Sequence, residues 1–309
     1  MIQHIMVPLD GSPLAECVLR HVLTVAKVFG AARVTLLRVV ERSRQGGLDF
    51  ALAPLRWHLQ MAEAKQYLDQ VAAHLTHLHL RVSAVLVEGK AAEGIAEYIA
   101  QSDVGLLILS THGHSGLGPW SISGVVQKVI LGTRVPTLLV RAHKPPAPRN
   151  RPALYRTILA PVDGSRRAEC VLPMLNSLAT TLGARVVLAH VIPHVALPHR
   201  ASKTQQQLDL EHRLVEMSRD EGERYVHHLA THMSSYVETR VIVSDDVAGS
   251  LHGLTQDQHA DVVVLCAHGC TRAARWPYGT TPLLIVHDVD SSMEITSPAA
   301  EAIIQSKGH

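Results

Sequence analysis

Apolar positions along this chain fall into two kinds of run, and the two kinds alternate. Short, nearly continuous runs occupy residues 5–10, 33–40, 80–87, 104–109 and 135–140. Between them lie stretches in which apolar residues recur at helical spacing, as at Leu14, Val18, Val22 and Val25, with Gly30 placed to end the helix. Short continuous runs predict strands covered on both faces, and the 3.6-residue recurrence predicts helices lying over them. Helices are predicted at 14–29, 54–78, 91–101 and 125–131. Strands alternating with helices imply parallel pairing through right-handed crossovers.

The pattern then starts again. Met6-Val7-Pro8-Leu9-Asp10-Gly11-Ser12 returns as Leu159-Ala160-Pro161-Val162-Asp163-Gly164-Ser165, and Ala15-Glu16-Cys17-Val18-Leu19 as Ala168-Glu169-Cys170-Val171-Leu172. Strands are predicted at 157–162, 185–191, 236–243, 261–266 and 280–286, and helices at 204–232 and 247–257. A repeat of about 150 residues signals a duplicated domain rather than a solenoid. The expected organisation is a first domain at 1–142, a semi-rigid Pro-rich linker at 143–152, a second domain at 153–288 and a flexible polar tail at 289–309. The copies diverge after His112-Gly113 and His268-Gly269. The first has room for a helix before Pro136, whereas the second reaches Pro282 without one. The second domain is therefore expected to lack its last helix and to return to a parallel fifth strand by a plain loop. Such a loop offers no helix dipole to a phosphate.

Composition narrows the class. The hydrophobic fraction of 47% supports packed cores, and with aromatics at 4% those cores must be built of Val, Leu, Ile and Ala. A formal charge of +2 gives no basic field for nucleic acid or an anionic membrane. No apolar run approaches the roughly 20 residues of a membrane helix. The chain enters its first strand without a leader pattern, so a cytoplasmic location is expected. Cys17, Cys170, Cys266 and Cys270 are too few for a disulfide framework. Cys17 and Cys170 read as packing residues. Cys266, His268 and Cys270 lack the second cluster that a zinc site needs.

The candidate chemistry gathers in one loop. Ser110-Thr111-His112-Gly113-His114-Ser115-Gly116-Leu117-Gly118 follows a buried strand and leads through Ser123-Gly124-Val125 into a helix. Small residues between a strand and a helix present backbone N–H groups at the positive helix end, a geometry that takes phosphate. The donors would be the N–H groups of Gly113 to Gly116, the Ser115 hydroxyl and the Ser123-Gly124-Val125 helix start. His112 and His114 flank Gly113; they are candidates for contact with phosphate or for acid–base chemistry, but as loop histidines without an identified carboxylate partner they read first as structural or solvent-facing. Asp10 ends a central strand at its carboxyl edge, where ligands of open α/β sheets bind. It suits a ribose hydroxyl or an adenine amino group and equally suits a helix cap with Ser12. No Walker A motif, G-x-S-x-G elbow or H-E-x-x-H is present, so no catalytic residue is assigned.

Taken together, Val7-Pro8-Leu9-Asp10-Gly11-Ser12, Leu37-Arg38-Val39-Val40 and Ser110 to Leu117 resemble the universal stress protein family in its tandem two-domain form. The resemblance spans both halves. It implies two Rossmann-like domains of the adenine-nucleotide alpha hydrolase-like type, each an open five-stranded parallel sheet of order 3-2-1-4-5 with helices on both faces. It also implies that the halves pair through their last strands as a built-in dimer, and it leaves a homodimer open. Nucleotide-binding members carry G-x2-G-x9-G-[ST]; here the sequence is Ser110-x2-Gly113-x9-Ser123-Gly124, with the closing pair inverted. The resemblance places Pro8, Asp10 and Val39 around adenosine, Ser110 and Gly113 at ribose and phosphate, and Ser123, Gly124 and Val125 at the phosphates. In the second half Asp163 and Val191 match the adenosine side, and Cys266-x2-Gly269-x9-Gly279-Thr280 matches on paper; a degenerate site is expected there.

The leading functional expectation is a stress-response protein that binds ATP, ADP or AMP in its first domain, with Mg²⁺ accompanying the nucleotide, and that acts by ligand sensing. The alternatives are an interaction module that has lost nucleotide binding and a slow ATPase or phosphoryl- or nucleotidyl-transfer enzyme.

Overall fold

The computed structural model describes residues 2–31, 33–42, 53–112, 123–141, 151–194, 204–266 and 282–286. The chain divides into two compact units, Met1–Leu154 and Tyr155–His309.

In the first unit the apolar runs become β1 (His4–Pro8), β2 (Arg33–Val40), β3 (Val82–Glu88), β4 (Leu106–Ser110) and β5 (Thr137–Val140). They pair in parallel in the order β3-β2-β1-β4-β5. Ile5, Met6, Val7, Leu36, Leu107 and Ile108 are wholly buried, as runs covered from both sides must be. The helices are α1 (Leu19–Phe29), α2 (Ala53–His77), α3 (Ala91–Gln101) and α4 (Gly124–Gly132). Neighbouring residues of β2 identify the two covering layers. The Arg38 guanidinium lies 5.3 Å from the ring centroid of Tyr67 in α2. A Cβ on Gly94 of α3 would stand 3.1 Å from both γ carbons of Val39. Successive strand residues point to opposite faces, so α2 and α3 cover opposite sides of the sheet, and α4 packs with α3. The predicted helix at 14–29 is two pieces, a 3₁₀ turn at Ala15–Val18 followed by α1. Gly30 closes α1 in the left-handed conformation at φ +59, with its N–H on the Ala26 carbonyl.

At the amino end of β1, His4 is buried. Its Nε2 lies 2.8 Å from Thr35 Oγ1 and its Nδ1 lies 3.0 Å from Arg33 Nη2. Arginine only donates, so Nδ1 accepts and the proton sits on Nε2. Arg33 also pairs with Asp103. Burial first, then the Arg33 charge, hold the His4 imidazole below its ordinary value, partly offset by Asp103.

The second unit repeats the plan with β6 (Thr157–Val162), β7 (Arg185–Ile192), β8 (Val237–Val243) and β9 (Val262–Cys266), parallel in the order β8-β7-β6-β9. Its helices are α5 (Leu172–Leu182), α6 (Gln205–Thr231) and α7 (Val247–Asp257). Thr204 and Gln207 start α6 with a reciprocal capping box. Leu159, Val187 and Ala189 pack with Leu254 of α7, while His190, the next residue, meets Gly222 of α6. The two-faced layering is the same.

The fifth strand departs from expectation. β10 (Pro282–Val286) runs antiparallel to β9, pairing Pro282 with Cys266 and Val286 with Val262. The expected parallel return is thereby corrected. A parallel partner must carry the chain back along a face of the sheet, where an amphipathic helix normally covers it. The sequence at 267–281, Ala-His-Gly-Cys-Thr-Arg-Ala-Ala-Arg-Trp-Pro-Tyr-Gly-Thr-Thr, has no helical apolar spacing. An antiparallel partner needs only a reversal at one edge. Residues 289–309, expected as a polar tail, lie outside the described residues.

Candidate functional site

In the first unit the carboxyl ends of β1, β2 and β4 lie side by side, because β1 pairs with both of the others. Pro8 ends β1 and sits opposite Leu37. Asp10 follows two residues later. Its Oδ1 accepts the backbone N–H of Ser12 at 2.9 Å and the Ser12 hydroxyl at 2.7 Å. Ser12 Oγ in turn accepts the Ala15 N–H at 3.1 Å. The capping work therefore falls to Ser12, and Asp10 holds Ser12 in place. A carboxylate has about four acceptor positions, so orienting Ser12 is compatible with taking a hydroxyl of a ligand.

Val39 is half-buried near the end of β2 and leans toward α3. Ser110 closes β4, and its hydroxyl donates to the His112 carbonyl at 2.6 Å. His112 Nδ1 lies 3.1 Å from Thr111 Oγ1. Gly113, His114, Ser115 and Gly116 lie outside the described residues. Across that gap the chain is tied back to the strand end, because the Ser123 N–H donates to the Thr111 carbonyl at 3.1 Å.

Ser123 is the N-cap of α4, with its Oγ accepting the Val126 N–H at 3.3 Å. The inverted Ser123-Gly124 pair thus has a structural logic, since serine is a strong N-cap. Of the first N–H groups of α4, those of Ser123 and Val126 are used as described. Those of Gly124 and Val125 have no partner within the helix, as the first turn dictates. They are the same N–H groups that the resemblance assigns to phosphate. A hydroxyl that accepts in a cap keeps its own O–H for donation, so Ser123 retains one donor at the helix entrance. A Cβ on Gly124 would meet nothing within 4 Å, and Val125 is 39% exposed. Among the described residues nothing covers the helix start.

Sequence reasoning passed over one residue here. Arg38 presses its guanidinium against Gly11, where a Cβ would come within 2.8 Å of Nη1. Gly11 has φ +83, a left-handed conformation that suits glycine. Arg38 leans to the α2 side, away from α4, and so braces the Asp10–Ser12 turn rather than facing the Ser123 end. A single charged residue inside an apolar strand was the available signal.

The second unit copies part of this. Asp163 Oδ1 accepts the Ser165 N–H and hydroxyl at 3.1 and 2.6 Å, and Ser165 Oγ accepts the Ala168 N–H at 3.1 Å. The position of Arg38 is taken by His190, whose Nδ1–H donates to the Val162 carbonyl at 2.7 Å and whose ring meets Tyr225 edge-on. Tyr225 donates its hydroxyl to Glu169 at 3.3 Å. Burial first, then Glu169, push the tyrosine up from its ordinary value. At the strand end Cys266 stands where the first unit has Ser110. Gly269, Gly279 and Thr280 lie outside the described residues.

A sequence profile of the universal stress protein family matches residues 1–141 and again residues 154–293. The chain belongs to the universal stress protein family. Curated relatives match about half of the chain. Universal stress protein MJ0531 of Methanocaldococcus jannaschii is 26% identical over 148 residues, covering 47% of this chain and 85% of that protein. The crystal structure of a universal stress protein from Archaeoglobus fulgidus overlays on 93% of this chain and 97% of its own, with a TM-score of 0.58 at 14% identity, and so shares the fold. A universal stress protein in complex with cAMP aligns with 45% of this chain and 97% of its own, at 15% identity and a TM-score of 0.34. The tandem universal stress protein architecture and the 3-2-1-4-5 order of the first sheet thus agree with the reading of the sequence.

Proposed function

We propose that this universal stress protein binds an adenine nucleotide in its first unit and acts in the cytoplasm as a ligand-sensing stress-response protein. The observation that carries the reading is the α4 entrance. Among the described residues nothing takes up the Gly124 and Val125 N–H groups or the Ser123 O–H, which lie at a positive helix end. That end is tied through Thr111 to a strand adjoining the one that carries Asp10. In this reading Pro8, Asp10 and Val39 receive the adenosine, and Ser110 and the 113–116 loop reach the ribose and first phosphates. Ser123, Gly124 and Val125 hold the terminal phosphates. ATP is the ligand favoured, with ADP and AMP sharing the adenosine contacts. Among the described residues no three His, Cys, Asp or Glu side chains are grouped to hold a metal. Mg²⁺ enters this proposal with the phosphates.

The deciding experiment is mass spectrometry of the small molecule released when the purified protein is denatured, followed by calorimetry with that compound. An adenine nucleotide at one per chain is expected. Protein that emerges empty and shows no thermal shift with ATP, ADP or AMP would overturn the reading in favour of an interaction module.

A further inference from the structure

The second unit carries at its sheet edge a pair of side chains that the first unit lacks. Cys266 ends β9, and Cys170 sits in the 3₁₀ turn Ala168–Val171, which packs on β9. The Cys170 thiol is directed at Cys266, with the sulfurs 3.6 Å apart. Both are thiols, and both are half-buried. In the first unit the corresponding residues are Cys17 and Ser110, so no such pair exists there.

We propose that Cys170 and Cys266 form a reversible oxidation site, at which hydrogen peroxide converts the two thiols into an intramolecular disulfide. Neither residue takes part in the nucleotide reading of the first unit, so the proposal stands or falls separately.

The chemistry balances. The Cys266 sulfur, as thiolate, attacks one peroxide oxygen. The O–O bond breaks, hydroxide leaves and is protonated to water, and Cys266 becomes a sulfenic acid. Cys170 gives up its proton and attacks that sulfur. The S–S bond forms, the S–O bond breaks, and the hydroxyl departs as a second water. Two thiols lose two electrons in total, and one peroxide is reduced to two waters. A disulfide is about 2.05 Å long, so the sulfurs must close by about 1.5 Å, a movement of the scale that side-chain rotation supplies.

Acidity does not drive the reaction. Burial first, then the adjacent Cys266, push the Cys170 thiol up to about 12. Cys170 therefore stays protonated at neutral pH and takes the resolving role. Proximity selects this pair, and the rate should rise with pH as thiolate accumulates. The product would bridge residues 96 apart in sequence. It would fasten the turn that follows Asp163-Gly164-Ser165 to the end of β9, on both sides of the degenerate counterpart of the nucleotide site. Oxidation is thus expected to stiffen the second unit alone.

The test treats the full chain with hydrogen peroxide, blocks remaining thiols by alkylation and maps the peptides by mass spectrometry. The expected product joins the Cys170 and Cys266 peptides with the loss of two hydrogens, and a dithiol reductant reverses it. The second unit's melting temperature should rise by roughly 5–10 °C, as closure of a long loop predicts. Cys270→Ser should leave the cross-link intact. Cys170→Ser and Cys266→Ser should each abolish it, with folding of each variant checked by circular dichroism. Because the mapping is done on the unaltered chain, its result does not depend on those variants folding. Three outcomes would overturn the proposal: a bridge that maps to Cys270, oxidation to sulfinic acid without a bridge, or thiols that remain unchanged under peroxide.

Discussion

The ends of β4 and β9 occupy the same place in two copies of one domain, yet they lead to different structures. After Ser110 the first copy returns through α4 to a parallel strand, and the helix delivers two backbone N–H groups and a cap hydroxyl to the sheet edge. After Cys266 the second copy comes back as an antiparallel strand, from a stretch whose sequence lacks helical apolar spacing. Meanwhile the Asp–Ser turn survives in both copies with nearly the same hydrogen bonds. The turn is therefore part of how this domain folds, and its presence alone does not mark a working site. What separates the copies among the described residues is the direction of the strand beside the fourth one, parallel in the first copy and antiparallel in the second.

The sharpest way to break that comparison is to remove the shared carboxylate from each copy. Asp10→Ala should weaken adenine-nucleotide binding about 10- to 100-fold, the cost of losing a hydrogen bond to a charged group. Asp163→Ala should leave affinity and stoichiometry unchanged in calorimetry. Two equivalent sites, or an Asp10→Ala protein that binds normally, would sink the assignment to the first unit.

Next in size is the glycine beside each aspartate. Gly11 and Gly164 have φ of +83 and +81, but only Gly11 has a guanidinium against it. Gly11→Ala should cost about 2 kcal/mol, combining left-handed strain with displacement of Arg38 from Tyr67. Gly164→Ala should cost about 1 kcal/mol, from strain alone. Denaturant melts will show the difference, and Arg38→Ala should remove it. Equal losses would mean that Arg38 does not brace the turn.

A pH series probes the opposite edge of the sheets. His4 is held below its ordinary value of 6.5 in the folded state. Above that pH neither state binds the proton. As pH falls through it, the unfolded chain takes up the proton first, and stability drops until the folded imidazole also titrates. The first unit should therefore lose stability on going from about pH 7.5 to about pH 5, whereas the second carries Thr157 at the matching strand position. Thermal melts of His4→Gln should be flatter with pH. A first unit that gains stability on acidification would contradict this.

The smallest effect concerns the inverted pair. Gly124→Ser adds a side chain where nothing lies within 4 Å. It should raise the melting temperature by about 1–2 °C through helix propensity and leave AMP affinity unchanged. A loss of stability would show that the α4 entrance is more crowded than described.

The apolar runs and their spacing carried most of the fold. β1, β2, β4 and β5 are runs buried on both faces, and the long helices α2 and α6 lie within a residue or so of the limits their periodicity predicts. Asp10, Ser110 and Ser123 were legible as site candidates from a strand end, a loop and a helix start, whereas Val39 and the strand order were given only by the family resemblance. The 113–116 loop remains a reading of the sequence alone. Arg38 was not legible, since a charged residue in a strand gives no sign of which neighbour it leans on. Nor was the nearness of Cys170 and Cys266, residues far apart in the chain that meet only when the 3₁₀ turn packs on β9.

By itself, then, the sequence determined the duplicated α/β plan, because local periodicity and repetition act through near neighbours in the chain; the strand order came with the family resemblance. Tertiary structure alone decided the direction of β10, the brace at Gly11 and the pairing of two thiols. Each of these depends on which distant segment supplies the partner for a backbone group or a side chain, and that choice is made only when the sheet assembles.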